Sequence, residues 1–201
     1  MEKIQIDIFR KKSIEEFSEI LSSSESRMES GSASAGVAAI SAALLKRAAH
    51  QVEETPDNAE RVQYIQRNSE IIRNYMCYLV DEDVKCRNPI KKAISENNPQ
   101  HIEACVQPAC AINSEIINMM ISLLSLSKEL CEYSNDKIHY IYESADYSMA
   151  AIRACVSFIY SMLKYCTDDT FIYVTKRENE VSVAQAEEIY HSIVSHFTLP
   201  V

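Results

Sequence analysis

The chain has 201 residues, a net charge of −9 and no basic block, which argues against nucleic acid and anionic membrane surfaces as partners. Its two glycines and five prolines are too few for a β-rich fold, which needs turn residues at short intervals. With 47% hydrophobic residues, the chain is able to bury a sizeable core in one domain.

The sequence indicates a cytoplasmic protein without a membrane span. Charges are spread through Met1–Lys12 and leave no apolar core, so we expect no signal peptide. The longest apolar run, Ile112–Leu126, is interrupted by Asn113, Glu115 and Asn118, so we do not expect it to cross a bilayer. Seven cysteines, an odd number without CxxC spacing, favour reduced thiols.

The first two helices are predicted from a cap signal and from small side chains. Ser13 and Glu16 form the pattern of a capping box, in which the serine accepts from a free helix amide and the glutamate reaches back. The helix that follows should end in the serine-rich connection 22–34. A second helix, predicted over about Ser32–Glu53, is rich in alanine, which lets another helix approach closely.

Cap signals and apolar spacing predict the remaining helices. Thr or Asn followed by proline marks two helix starts, because proline is favoured in the first helical turn. We expect these helices over about Thr55–Pro89 with a short piece to Ser95, Asn98–Tyr133, Glu143–Tyr165 and Ser182–His196.

Three segments are expected to interrupt the helices. Pro108 should bend or break the fourth long helix near Cys105, because proline removes an amide donor and clashes with the preceding turn. Ser134–Asp136 is predicted as a turn, and Phe171–Val174 as a short extended connection. Residues 1–201 are therefore predicted to form one all-α domain, a bundle of five to seven helices with long antiparallel helices.

The first half of this series resembles the cyclodeaminase/cyclohydrolase family of folate enzymes. In that family a capped helix of the form S-x-E-x-F precedes a P-G-G-G-S turn and an alanine-rich helix. Ser13–Phe17 matches the first element, Met28–Ser32 stands at the turn, and Ala33–Leu44 follows as the helix of small residues.

The resemblance continues to about residue 164. Leu79–Asp83 is similar to the family's acidic segment near the end of its long helix, and Pro108 to the start of its V-P helix. Ala145–Ala151 stands where the family has S-D-A-G-x-A-A. Arg87 replaces a family aromatic residue, and Lys164 stands in place of an asparagine.

The family's reactions imply a catalytic role for two carboxylates. Water adds to the methenyl bridge of a tetrahydrofolate, or ammonia leaves a formimino group as that bridge closes, and both reactions need a group that moves a proton. The resemblance transfers this role to Asp83 and Asp146. The alternatives are a solvated charge at a helix end for Asp83 and a helix cap for Asp146.

Substrate binding is predicted for three residues on the same resemblance. Gly31 and Ser32 could present backbone amides to a ligand carboxylate at a helix start, although an ordinary loop and cap would look the same. Lys164 is the third. At the turn, Glu29 places a negative charge where the family approaches an anionic ligand. The resemblance implies a tetrahydrofolate derivative as substrate and no permanently bound cofactor.

Two other clusters have a packing interpretation beside a functional one. His101 and Cys105 share a helix face near Cys110, but metal sites need three or four ligands in a tight set, so we predict no metal. The tyrosines near Asp146 form either half-buried packing or one wall of a pocket for a flat ring; they are Tyr140, Tyr142 and Tyr147.

The sequence therefore predicts a folate one-carbon enzyme of the methenyltetrahydrofolate cyclohydrolase or formimidoyltetrahydrofolate cyclodeaminase type. The alternative is a non-catalytic helical homologue that acts as a binding or scaffold protein. A pocket that holds both Asp83 and Asp146 would favour the enzyme. The small-residue helix implies a homodimer, since such helices commonly form the dimer interface in this family.

Overall fold

The computed structural model describes residues 8–24, 26, 28, 30–134 and 139–197, in which six α-helices and one 3₁₀ turn are present and no strand occurs. This confirms the predicted all-α bundle. The elements are the 3₁₀ turn Phe9–Lys11, α1 Ile14–Ser22, α2 Ser30–Ala49, α3 Ala59–Ser95, α4 Pro99–Cys131, α5 His139–Leu163 and α6 Asp169–His196.

Four long helices form the core bundle. Helix α2 packs along both α3 and α5, and α4 packs along the same two helices from the opposite side. Helices α2 and α4 therefore lie diagonally across the bundle. Helix α6 covers α4 and α5, and the 3₁₀ turn lies on α3.

The alanine-rich face of α2 packs inside the bundle, against other helices of the same chain. Its fully buried alanines are Ala35, Ala38, Ala42, Ala48 and Ala49. Small side chains let α2 approach α5 so closely that hydroxyls bond across the seam. Ser41 Oγ donates to the carbonyl oxygen of Ser144 at 2.6 Å, and Ser144 Oγ donates to the carbonyl oxygen of Ser41 at 2.9 Å.

Two predicted helix boundaries in α3 were wrong. Thr55 and Pro56 belong to a turn, in which Thr55 N–H donates to Asn58 Oδ1, and the helix begins at Ala59. At the other end, α3 continues through Pro89 to Ser95 without a break. The last turns after Pro89 carry two buried apolar side chains, Ile90 and Ala93, so packing outweighs the lost amide donor.

The second half of the chain departs from prediction in two places. Phe171–Val174 is helical, because α6 begins at Asp169 rather than Ser182. Asp168 caps this start by accepting hydrogen bonds from the N–H groups of Thr170 and Phe171, a stronger local signal than the β propensity of the segment. Pro108 lies inside α4 and does not break it.

Helix α4 is the one helix in the described ranges that is long and apolar enough to cross a membrane by length and composition. Half of its apolar window is buried within the bundle, where α4 contacts α3, α5 and α6. The core helix of a bundle has the same length and composition.

We predict that Ala42→Leu destabilises the fold and that Ala43→Leu does not. Ala42 is fully buried between helices, whereas Ala43, the next residue on α2, is exposed. Overpacking a core position typically costs about 1–3 kcal/mol of unfolding free energy. Urea denaturation of both variants measures this, and equal midpoints would contradict the close packing of α2.

Candidate functional site

The family's turn and its acidic segment meet in the interior of the bundle. Asp83, on α3, is fully buried and lies against the first turn of α2. Ser32 Oγ donates a hydrogen bond to Asp83 Oδ2 at 2.9 Å and lies 3.1 Å from the carbonyl oxygen of Val80. The N-terminus of a helix favours a negative charge, so this first turn is electrostatically suited to the carboxylate.

Gly31 is required by this contact. A Cβ at residue 31 would overlap the carboxylate of Asp83. A Cβ at Gly36 would lie 3.7 Å from Phe17 Cζ, an ordinary van der Waals distance. Only the first of the two glycines is therefore explained by close approach.

The carboxylate of Asp83 is incompletely satisfied. Its Oδ1 atom is buried and has no hydrogen-bond partner in the described chain. Burial raises the pKa of Asp83 above its ordinary value of 3.8, and hydrogen bonding from Ser32 and the nearness of the Asn113 amide offset part of this effect. A desolvated carboxylate in such surroundings is typical of a functional site.

Helices α4 and α5 complete the surroundings of Asp83. Asn113 on α4 is fully buried, and its Nδ2 donates to the carbonyl oxygen of Ala109 at 2.9 Å. On α5, burial raises the pKa of the Cys155 thiol, the nearby Ser34 hydroxyl offsets part of this, and the charge of Asp83 raises the pKa further. All four core helices therefore contribute to what we call the Asp83 cluster: Gly31, Ser32, Ser34, Asp83, Asn113 and Cys155.

Asp146 lies in a different environment. The structure places it in the interior of α5, so it does not cap a helix start. Nine residues separate it from Cys155, which corresponds to about 14 Å along the axis and to the opposite face of the helix. Asp146 is half-buried, and its Oδ1 accepts a hydrogen bond from Tyr190 on α6 at 2.5 Å. Within one chain, Asp83 and Asp146 therefore do not face a common pocket.

The other predicted site residues are scattered. Lys164 is exposed just after α5, with its Nζ 4.8 Å from the centre of the Tyr165 ring. Glu29 lies outside the described residues. His101 Nδ1 lies 2.9 Å from Glu96, and no group of three or more metal-binding side chains occurs in the described part of the chain.

Two adjoining cavities, of about 430 and 410 Å³, lie between α4 and α6. Both are lined by Ser114, Asn118 and Glu178. Neither cavity is lined by Asp83 or Asp146, so neither is the shared pocket of both carboxylates that would favour an enzyme over a binding protein.

Sequence reasoning missed three members of this interior. Ser34 and Cys155 carried no signal beyond small size and burial. The only sign of Asn113 in the sequence is that it interrupts an apolar run, and a polar residue at a core position is the usual sign of a buried network.

Arg87 lies one turn beyond Asp83, with its guanidinium 4.4 Å from the centre of the Phe158 ring, and burial lowers its pKa.

Comparison with known proteins identifies the family and the fold. Residues 13–181 match the formiminotransferase-cyclodeaminase family, and the chain belongs to that family. The bundle is also similar to the crystal structure of formiminotetrahydrofolate cyclodeaminase from Thermotoga maritima, with a TM-score of 0.87 and 20% identity. This match covers 92% of the chain and 96% of the Thermotoga chain. The comparison with curated proteins returned no match.

We predict that Gly31→Ala destabilises the fold and that Gly36→Ala does not. The first substitution places a methyl group in the space of the Asp83 carboxylate, and overpacking of this kind typically costs about 1–3 kcal/mol. The second replaces a helical glycine where a Cβ makes only an ordinary van der Waals contact, and alanine is favoured there by up to about 1 kcal/mol. Thermal unfolding of both variants tests the difference.

The contact itself is tested by adding a second substitution. Because Asp83→Ala removes the overlapping carboxylate, Gly31→Ala should cost less in that background than in the native chain. Equal costs in the two backgrounds would contradict the contact.

A further prediction concerns the pH dependence of stability. Because burial raises the pKa of Asp83, the folded chain binds this proton more tightly than the unfolded chain. The resulting stabilisation is fully present below the ordinary pKa of 3.8 and is lost as pH rises through the folded pKa. Asp83→Asn should therefore gain stability relative to the native chain as pH rises from 4 to 8, in urea titrations at a series of pH values. Parallel curves would contradict the prediction.

Proposed function

We propose that this chain is an enzyme of folate chemistry, of the methenyltetrahydrofolate cyclohydrolase or formimidoyltetrahydrofolate cyclodeaminase type. The observation that carries the proposal is the contact of Asp83 with Gly31 and Ser32. These two segments, about 50 residues apart, are the ones that resemble the family's motifs, and the fold brings them into direct contact.

The unfavourable free energy of burying the Asp83 carboxylate supports a functional role for this residue. A buried carboxylate with an unpaired oxygen is less favourable than an apolar side chain of similar size. The bundle already has a continuous apolar core and does not need a charge at this position for packing. Perturbed carboxylates of this kind cluster at functional sites because catalysis needs groups whose proton affinity is tuned.

The proposed chemistry proceeds through a tetrahedral carbon between two nitrogens. In the cyclohydrolase reaction, water oxygen bonds to the bridge carbon and gives up a proton. One C–N bond then breaks as its nitrogen takes a proton, and the hydroxyl loses its remaining proton to become the formyl oxygen. In the cyclodeaminase reaction, the anilino nitrogen outside the pterin ring attacks the formimino carbon and loses its proton, and the former imino nitrogen takes up protons and leaves as ammonia. A carboxylate serves both reactions, since each needs one group that accepts a proton and returns it.

We assign different roles to the two carboxylates. Asp146 is half-buried and open to a ligand, so we propose that it moves the proton. Asp83 is fully buried, so we propose that it fixes the first turn of α2. Gly31 and Ser32 are proposed to bind the folate at that turn, and Lys164 to meet its anionic glutamate tail. Because Asp83 and Asp146 do not face a common pocket within one chain, we propose that this folate meets Asp146 across the homodimer. No permanently bound cofactor is needed for these steps.

We also propose a cytoplasmic homodimer that contacts through the exposed side of α2. Ile40 is 51% exposed and Ala43 is exposed on the same helix, so an apolar surface remains after the bundle has formed. Ala39 is buried within the chain and does not report on a dimer. Sedimentation of the native chain and of Ala43→Leu tests this proposal, and a native monomer would contradict it.

We predict that Asp146→Asn abolishes most of the turnover of 5,10-methenyl-tetrahydrofolate or of its formimino counterpart, because loss of a general acid–base group typically lowers the rate about 10²–10⁴-fold. Asp83→Asn should also lower turnover, because it loosens the first turn of α2 rather than because it removes the group that moves the proton. Loss of methenyl absorbance and release of ammonia measure the two reactions. Calorimetry with each folate measures binding separately from catalysis.

The matched control is Asp81→Asn. Asp81 is also buried on α3, but it binds the 3₁₀ turn, accepting from Phe9 N–H at 2.8 Å and pairing with Arg10 at 3.3 Å. The Asp81→Asn variant should keep turnover close to the native rate. If the native chain neither transforms nor binds a folate, the enzyme proposal is wrong and the bundle serves as a binding or scaffold protein.

A further inference from the structure

The seam between α5 and α6 contains a hydrogen bond that joins a proposed catalytic residue to the end of the chain. The hydroxyl of Tyr190, on α6, donates a hydrogen bond to Asp146 Oδ1, with 2.5 Å between the two oxygens. Both side chains are half-buried. No other hydrogen bond to Asp146 is made within the described residues, so Oδ2 stays open to a ligand.

The surroundings of Tyr190 keep its hydroxyl a donor. Burial, followed by the hydrogen bonds with Asp146 and Tyr142, raises the pKa of Tyr190 well above its usual value, so the phenol holds its proton at neutral pH. Beside it, the ring of Tyr142 packs edge-on against Phe197, with 6.0 Å between ring centres. Within the described residues, the hydroxyl of Tyr190 is held by its hydrogen bond to Asp146.

The other charged groups along this seam do not compete for the same carboxylate. Arg153 on α5 lies 3.8 Å from Glu187 on α6. Arg153 is two turns after Asp146 on α5, and Glu187 is about one turn before Tyr190 on α6. His191 lies beside Tyr190, with 6.0 Å between the ring centres. Tyr190 is thus the group from α6 that contacts Asp146 directly.

We propose that Tyr190 is a positioning residue for Asp146, an inference that rests on the proposed function. By donating to Oδ1, it fixes the rotamer of Asp146 and leaves Oδ2 as the oxygen that exchanges a proton with the substrate. Tyr190 lies on α6 beyond residue 181, where the match to the family ends, so the family match does not identify it.

The test compares Tyr190→Phe with Tyr173→Phe. The first removes only the hydroxyl that holds Asp146, whereas Tyr173, on the same helix α6, is 70% exposed and has no role in the proposed site. Misplacing a catalytic group by about 1 Å costs up to ~10²-fold in rate. We expect Tyr190→Phe to lower kcat about 10- to 100-fold with KM nearly unchanged, and Tyr173→Phe to change neither.

A second readout does not depend on turnover. A phenol hydroxyl that donates to a carboxylate resonates downfield of a free phenol hydroxyl in proton NMR spectra recorded at low temperature, where exchange with water is slowed. This resonance should be present in the native chain and in Tyr173→Phe and absent from Tyr190→Phe. Its absence from the native spectrum would overturn the contact itself.

The outcomes separate this inference from the proposed function. If the native chain turns over a folate and Tyr190→Phe keeps the native kcat, the positioning role is wrong while the enzyme proposal stands. If Tyr190→Phe loses turnover only in proportion to a loss of folded protein, measured by circular dichroism, the tyrosine is structural and the inference is again wrong. If the native chain has no folate activity, the proposed function fails first and the positioning role fails with it.

Discussion

The arrangement of the bundle depends on one carboxylate placed against the first turn of a helix. Asp83 reaches from α3 into the space left by the missing side chain of Gly31 and accepts a hydrogen bond from Ser32. This fixes where α2 begins relative to α3. From that point the alanines of α2 set its approach to α5, and α5 carries Asp146 to the seam with α6.

Local signals predicted the helices well where the signal was a hydrogen bond made within a few residues. The capping box of Ser13 and Glu16 and the cap at Asn98 are present as predicted. Proline misled at Pro56 and Pro89, because tertiary packing decides whether a helix tolerates it. Phe171–Val174 misled in the same way, since β propensity is weaker than a cap and a buried face.

The site was harder to predict, because its contacts join distant parts of the chain. The resemblance led to Asp83 and Gly31 separately, but nothing in the sequence predicted that one occupies the space beside the other. Tyr190 was invisible to the resemblance, since it lies beyond the matched segment. Helical spacing alone predicts that Asp146 and Cys155 face opposite sides of α5, because the predicted helix Glu143–Tyr165 already contained both residues.

The missing Cβ at Gly31 also restricts how this chain can diverge. While the carboxylate of Asp83 is present, any side chain at residue 31 meets it, so substitution there is unfavourable. Once Asp83 is replaced by a smaller residue, the same substitution becomes permissible. The two positions must therefore change in a fixed order, the carboxylate first and the glycine second, and a descendant that has lost only the glycine should not be found.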